Sequence, residues 1–258
     1  MHSKEEKLKA FERLLEIMDE LREKCPWDRV QTMDSLRNLT IEETYELTDA
    51  IMDRQMDNIR EELGDLILHI VFYAKIGSEK EAFDIADVIN SINQKLVVRH
   101  PHVFGDRKVS NAGEVIENWE EIKMKEKNRS VLSGVPVSLP AMIKSHRIQD
   151  KARAVGFDWE KPEQVWDKVM EEVNEVKDET ISRTNHERLE EEVGDLLFSI
   201  VNAARLYDIE PETALEKTNK KFIHRFRYLE KKAGEAGRSL KEMSLEEMEA
   251  IWQEAKSI

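Results

Sequence analysis

The chain has 258 residues, 40% hydrophobic and 36% charged, enough for one large domain or two of ordinary size with well-solvated surfaces. Its formal net charge of −14 argues against non-specific nucleic-acid binding, which requires a basic footprint. It still allows a phosphate-bearing substrate if a divalent cation accompanies it. The single cysteine, Cys25, excludes an internal disulfide framework and fits a reducing compartment. Residues 1–15 mix Lys and Glu among the apolar positions, with no signal-peptide core. The longest apolar run, Leu66 to Ala74, is interrupted by His69 and is far too short to span a bilayer. A soluble, cytoplasmic protein with no membrane partner is expected.

In chain order, Leu8, Phe11, Leu14, Leu15, Met18 and Leu21 recur at three- and four-residue spacing and predict an amphipathic helix over 4–23. Cys25-Pro26-Trp27-Asp28 should break it and begin a loop. A second helix is expected from Asp34 or Thr40, carrying Glu42, Glu43 and Glu46. After a turn around Arg54 to Asp57, a third runs from Asn58 to Ile76, with Gly77 as its expected terminator. A fourth spans Phe83 to Arg99 and stops before Pro101. His100 to Gly105 reads as a loop, and Val115 to Lys127 as a short helix.

Ser130 to Ala141, holding Gly134, Pro136 and Pro140, is the best linker candidate. Beyond it, Met142 to Ala154 reads as helix and Gly156-Phe157-Asp158-Trp159 as loop. Further helices are expected near 162–180, 186–206, 211–232 and 244–256. No prolines fall between Pro26 and Pro101 or between Pro162 and Pro211, so both windows can be helical throughout. No segment alternates apolar and polar residues in the manner of a strand. The expected class is all-α.

The chain also repeats itself. Glu43 and Glu172 lie 129 residues apart, and Glu62 and Glu192 lie 130 apart. Glu61-Glu62-x-Gly64-Asp65-Leu66 matches Glu191-Glu192-x-Gly194-Asp195-Leu196. Asp49 matches Asp178, Ile70-Val71 matches Ile200-Val201, and Asn93-x-Lys95 with Arg99 matches Asn219-x-Lys221 with Arg225. Trp27 and Trp159 share a loop with Asp. The offsets favour duplication, giving domains 1–129 and 142–258 joined by a linker at 130–141.

Residues three apart share a helix face, so Glu43 with Glu46, and Glu62 with Asp65, can converge from neighbouring helices. Glu172, Glu175, Glu192 and Asp195 repeat the arrangement. Four unpaired carboxylates repel one another when desolvated, and a cation resolves the conflict. All-oxygen ligands suit Mg²⁺, or Mn²⁺ in its place. A mid-helix glycine costs about 1 kcal/mol against Ala, so Gly64 and Gly194 suggest close approach of a neighbour or ligand. One such acidic pattern alone reads as a solvated helix face; two copies with matched spacing favour metal. Lys95 with Arg99 and Lys221 with Arg225 are i,i+4 cations that can clamp phosphate oxygens or simply pair with surface acids. Trp27, Trp119, Trp159 and Trp252 can stack a base, although core packing is the commoner fate of any one Trp. His100 and His102 have no counterpart in the second copy and read as loop structure.

EExxE, a spacer and then ExxD resemble the all-α nucleoside triphosphate pyrophosphohydrolases. The tandem arrangement with Cys25-Pro26-Trp27-Asp28, Arg99-His100-Pro101-His102-Val103-Phe104 and Gly156-Phe157-Asp158-Trp159 is similar to the MazG family over essentially the whole chain. The resemblance implies tandem helical bundles, assembly as a homodimer, and Mg²⁺-dependent hydrolysis of nucleoside triphosphates to monophosphate and pyrophosphate in nucleotide house-cleaning. Carried over, the metal ligands are Glu43, Glu46, Glu62 and Asp65, and Glu172, Glu175, Glu192 and Asp195. Lys221, Arg225 and Trp252, with Arg188, contact the nucleotide. The expected chemistry is in-line attack of water on the α-phosphorus, the water activated by metal or by a spare carboxylate, Glu42 or Glu171, with Lys/Arg charge on the leaving pyrophosphate. Arg99-His100-Pro101 becomes Arg225-Phe226-Arg227, so the copies are not equivalent, and the C-terminal one is expected to be the more active. Two rival readings have sequence requirements of their own. A di-iron bundle needs Glu-x-x-His pairs, which none of the seven histidines supplies. A non-enzymatic acidic helical adaptor predicts indifference to Mg²⁺.

Overall fold

A computed structural model describes residues 1–111, 113–115, 118–119, 122, 130–159, 161, 163–182 and 185–256. The described residues are helical, turn or irregular, with no strand among them. The chain divides into two compact units, Met1–Val115 and Ile116–Ile258.

In the first unit, α1 (Lys4–Lys24) starts at a capping box in which Ser3 and Glu6 exchange side-chain-to-backbone hydrogen bonds. The expected loop at Cys25 is instead one further turn of helix, α2 (Pro26–Val30), because Pro26 at its first position needs no N–H partner. Helix α3 (Met33–Met52) begins at a Thr32–Ser35 box, close to the earlier of the two expected starts. Helix α4 (Met56–Glu79) runs through Gly77 instead of ending there. Gly77 is small because the Phe83 ring lies against it: an added Cβ would sit 2.7 Å from that ring. Helix α5 (Ile85–Arg99) is capped by Asp84, and α6 (Pro101–Phe104) again turns an expected loop into one helical turn opened by proline. Helix α4 packs on α3, α1 and α5. Their shared core is Met18, Leu36, Val71, Phe72 and Ile76, walled by Phe11, Leu14, Leu68 and Tyr73.

In the second unit, turns over 130–140 lead into α7 (Ala141–Arg153). They are followed by α8 (Gln164–Ser182), α9 (His186–Leu206), α10 (Pro211–Glu235) and α11 (Leu245–Ala255). Asn185 caps α9, and a Ser244–Glu247 box caps α11. Helix α9 packs on α8, α7 and α10, while α10 packs on α7 and α11. The buried apolar cluster is smaller: Val165, Val169 and Ala203, with Leu196 and Leu206 against it. The helix expected over Val115 to Lys127 lies mostly outside the described residues.

Candidate functional site

Each unit uses one antiparallel helix pair to gather carboxylates. In the first, α3 brings Glu43 and α4 brings Glu62 and Asp65, with one oxygen of each within 4.8 Å of the others. In the second, α8 brings Glu172 and α9 brings Glu192 and Asp195 with the same spacing. The i,i+3 partners Glu46 and Glu175 stand beside these trios. Desolvation, followed by the charges of Asp65, Glu46, Glu62 and Glu42, pushes the Glu43 carboxyl up. Desolvation and the charges of Glu46 and Asp65 do the same to Glu62. Glu175 is raised first by a hydrogen bond with Glu172, then by desolvation and by the charges of Glu172, Glu192 and Glu171. Carboxylates gathered this closely, with Glu43, Glu62 and Glu175 raised above their ordinary values, form a donor set that fits a hard divalent cation. Glu172 adds a second sign: it is 4% exposed, and its Oε2 is buried without a hydrogen-bond partner.

The glycines beside the trios correct part of one expectation. A Cβ at Gly64 or Gly194 would meet no other atom of the chain within 4 Å, so neither marks a close approach by a neighbouring element of its own unit; both sit on exposed helix faces.

The two units part company beneath the carboxylates. In the second, Glu172 and Asp195 lie on the wall of a cavity of about 920 Å³, at the upper end of the usual range for ligand pockets. Buried Val165 and the more exposed Phe157, Trp159 and Phe198 give it apolar walls, and Lys168, Ser199 and Arg205 bring polar groups. In the first unit, larger side chains stand at the matching positions. Leu36 occupies the place of Val165, Phe72 that of Asn202, Tyr73 that of Ala203 and His69 that of Ser199. Thr40 Oγ1 lies 2.6 Å from His69 Nδ1 and 2.8 Å from the Tyr73 hydroxyl, a polar cross-link where the second unit has Val169, Ser199 and Ala203. Burial pushes the His69 imidazole down, against a smaller opposing pull from Asp65.

Lys168 was not singled out from the sequence. Its Nζ lies 2.8 Å from Glu172 and 3.0 Å from Glu171, and its hydrogen bonds to these two carboxylates hold its own pKa well above the usual lysine range. The i,i+3 and i,i+4 spacing to the EExxE motif was the legible signal. Asp158 and Arg205 form a paired wall: Arg205 Nη1 donates to Asp158 Oδ2 at 3.1 Å, and Nη2 donates to the other oxygen. Desolvation raises Asp158, but hydrogen bonds from Arg205 and the Trp159 N–H, with the charges of Arg205 and Arg153, leave it below the usual carboxylate range.

The expected phosphate-binding residues stand apart from the cavity wall. Arg188 pairs with Glu179 at 3.2 Å. On α10 and α11 the Arg225 guanidinium lies over the Trp252 ring, 5.9 Å from its centre, and Phe222 packs on the same indole at 5.0 Å. Lys221, on the same helix, is exposed, as is Lys95 on α5; Arg99 is half-buried. Glu42 and Glu171 are exposed beside their trios. Two of the four candidate tryptophans are outside the core: Trp27 is exposed, and Trp159, on the cavity wall, is 40% exposed, while Trp119 and Trp252 are half-buried.

Comparison with known proteins agrees with this architecture. The family model for the MazG nucleotide pyrophosphohydrolase domain matches twice, over residues 31–104 and 160–229, enclosing both carboxylate trios. The chain is 45% identical over 251 residues to the Thermotoga maritima protein named nucleoside triphosphate pyrophosphohydrolase/pyrophosphatase MazG, covering 95% of each. It is 43% identical over 257 residues to the Escherichia coli K12 nucleoside triphosphate pyrophosphohydrolase, covering 96% of this chain and 98% of that one. It is also 48% identical to YabN of Bacillus subtilis over 98% of this chain and 53% of that one. With two family domains in tandem and relatives matched nearly end to end, the chain belongs to the MazG nucleotide pyrophosphohydrolase family.

Proposed function

We propose that the chain hydrolyses nucleoside triphosphates to the monophosphate and pyrophosphate, and that the second unit carries the reaction. The observation behind this assignment is the trio Glu172, Glu192 and Asp195 set at a cavity of nucleotide size. These carboxylates, with Glu175, hold Mg²⁺, or Mn²⁺ in its place. The bound cation supplies the charge that neutralises the triphosphate and orients its oxygens.

The chain's own groups do the rest. Lys168, held protonated by Glu171 and Glu172, adds positive charge for phosphate oxygens at the cavity mouth. Glu171, exposed beside the trio, takes the proton of the attacking water. Lys221, Arg225, Trp252 and Arg188 contact the outer part of the nucleotide. The first unit, with Glu42, Glu43, Glu46, Glu62, Asp65, Lys95 and Arg99 over a filled core, serves assembly more than turnover. The modules proposed from the repeat are 1–129 and 142–258, whereas the compact units divide after Val115; Val131 and Leu132, within 130–141, line the cavity of the second unit.

A homodimer is the proposed assembly. Ile41, Leu63, Ile67 and Ile70 are exposed on the first helix pair, and their repeat partners Met170, Val193, Leu197 and Ile200 are exposed on the second. Two matching apolar stripes are what a helix-pair interface requires. Among the described residues no helix is long and apolar enough to cross a membrane; a cytoplasmic setting for the chain is part of the proposal.

Product analysis over a panel of triphosphates with Mg²⁺ tests the reaction. Monophosphate plus pyrophosphate is expected. Diphosphate plus phosphate would place the attack on another phosphorus and refute the assignment.

A further inference from the structure

The carboxylate trios of the two units differ in the charge that stands beside them. In the second unit the Lys168 ammonium lies 2.8 Å from Glu172 and 3.0 Å from Glu171. Glu172 belongs to the trio with Glu192 and Asp195, and Lys168 lines the cavity that this trio borders. At the matching position of the first unit stands Leu39, packed against the apolar core. Among the described residues no lysine or arginine comes within ion-pair distance of Glu43, Glu62 or Asp65. Arg60, close by in sequence, pairs with Asp57 at 3.1 Å. A cation built into a cation site acts in two opposite directions. Seated on Glu172, a positive charge repels a divalent ion that shares the same carboxylate. A triphosphate brings several negative charges, and toward these the same ammonium is attractive. Neighbouring guanidinium groups leave that balance to Lys168, since Arg205 is paired with Asp158 and Arg188 with Glu179. The Lys168 side chain is 37% exposed, so its flexible stem can carry the ammonium from carboxylate to phosphate.

We propose that Lys168 makes metal binding in the second unit conditional on the triphosphate: its ammonium opposes a divalent cation arriving alone and favours one arriving with the nucleotide. This rests on the placement of the metal at Glu172, Glu192 and Asp195 argued above. Free divalent cations then hold the second trio weakly, and the substrate is the cation–triphosphate complex. Metal and nucleotide are thereby coupled: each raises the affinity for the other, by the same factor in both directions. Because the ammonium is partly exposed and screened by salt, the coupling through it is a matter of several-fold and shrinks at high ionic strength.

The test uses the full chain carrying Glu43→Gln, which takes a ligand from the first trio, with and without Lys168→Met. Mn²⁺ alone, followed by electron paramagnetic resonance, should bind the Lys168→Met chain about threefold or more tightly than its parent. Mg²⁺ with a triphosphate whose α–β bridging oxygen is replaced by an imido group, followed by calorimetry, should bind the same variant about threefold or more weakly. Opposite signs in one variant also show that it is folded, because an unfolded chain loses both ligands. Unchanged or weaker Mn²⁺ binding overturns the inference and reduces Lys168 to orienting Glu172 or to a surface pair. Unchanged nucleotide binding overturns it too, since the ammonium then does not meet the phosphates. Lys168→Gln, close to lysine in length and uncharged, gives the same comparison where the methionine variant does not fold. Each of these results leaves the pyrophosphohydrolase assignment standing. Absence of Mn²⁺ binding in both chains would remove the carboxylate metal site and this inference together.

Discussion

The two units carry the same carboxylates on the same helix pair and differ in what lies beneath them. The first closes the space with Leu36, Phe72, Tyr73 and the Thr40–His69–Tyr73 cross-link. The second places Val165, Asn202, Ala203 and Ser199 at those positions and keeps a cavity of about 920 Å³. The lost burial in the second unit forgoes roughly 25 cal/mol for each Å² of apolar surface, and its apolar cluster is correspondingly small. After duplication, one copy can hold the fold with a full core while the other gives up packing for a binding space. A metal site alone does not make the two copies equivalent.

The largest expected effect separates the copies directly. Glu172→Gln should lower pyrophosphate release by on the order of 10²–10³-fold, while Glu43→Gln leaves it within about twofold, as expected for an independent site. Comparable losses in both variants would make the units equal partners. Next, Asn202→Phe writes the first unit's residue into the second. It should raise KM for ATP by about tenfold or more, equivalent to about 1.4 kcal/mol of binding, and leave stabilisation by Mg²⁺ intact. Unchanged KM would show that the cavity is not the nucleotide site.

The Asp158–Arg205 wall gives a pH-dependent test. The Asp158 pKa is depressed in the folded chain, so its contribution is complete above the ordinary aspartate value of about 3.9 and is lost as pH falls through the lower folded value. Asp158→Asn should therefore destabilise the chain by about 2–3 kcal/mol at pH 7, with the gap to the parent chain narrowing below about pH 4 in denaturant titrations. A gap independent of pH would argue that Asp158 acts through packing. The smallest effect concerns charge crowding. Glu175→Gln relieves repulsion in the metal-free chain and should raise its melting temperature by about a degree, while weakening the rise produced by Mg²⁺. A lower metal-free melting temperature would contradict the crowding of the four carboxylates.

The all-α architecture and the helix pairs were legible because apolar spacing and proline-free windows are local signals. The departures come from cases where local chemistry has two outcomes. Pro26 and Pro101 each read as a break, yet proline is equally at home in a first helical turn. Gly77 read as a terminator, when the Phe83 ring sets its size. Sequence spacing located the carboxylates but could not reveal the cavity, which depends on side-chain volumes at aligned positions of two helices. Those differences, Leu36 against Val165 and Phe72 against Asn202, were present in the repeat but carry meaning only once both cores are seen.

The most direct test of the account is a crystal structure with Mg²⁺ and a triphosphate whose α–β bridging oxygen is replaced by an imido group. The prediction is a metal at Glu172, Glu192 and Asp195, with the base in the cavity between α7 and α9. A nucleotide seated instead at Glu43, Glu62 and Asp65, with the second unit's cavity empty, would contradict it.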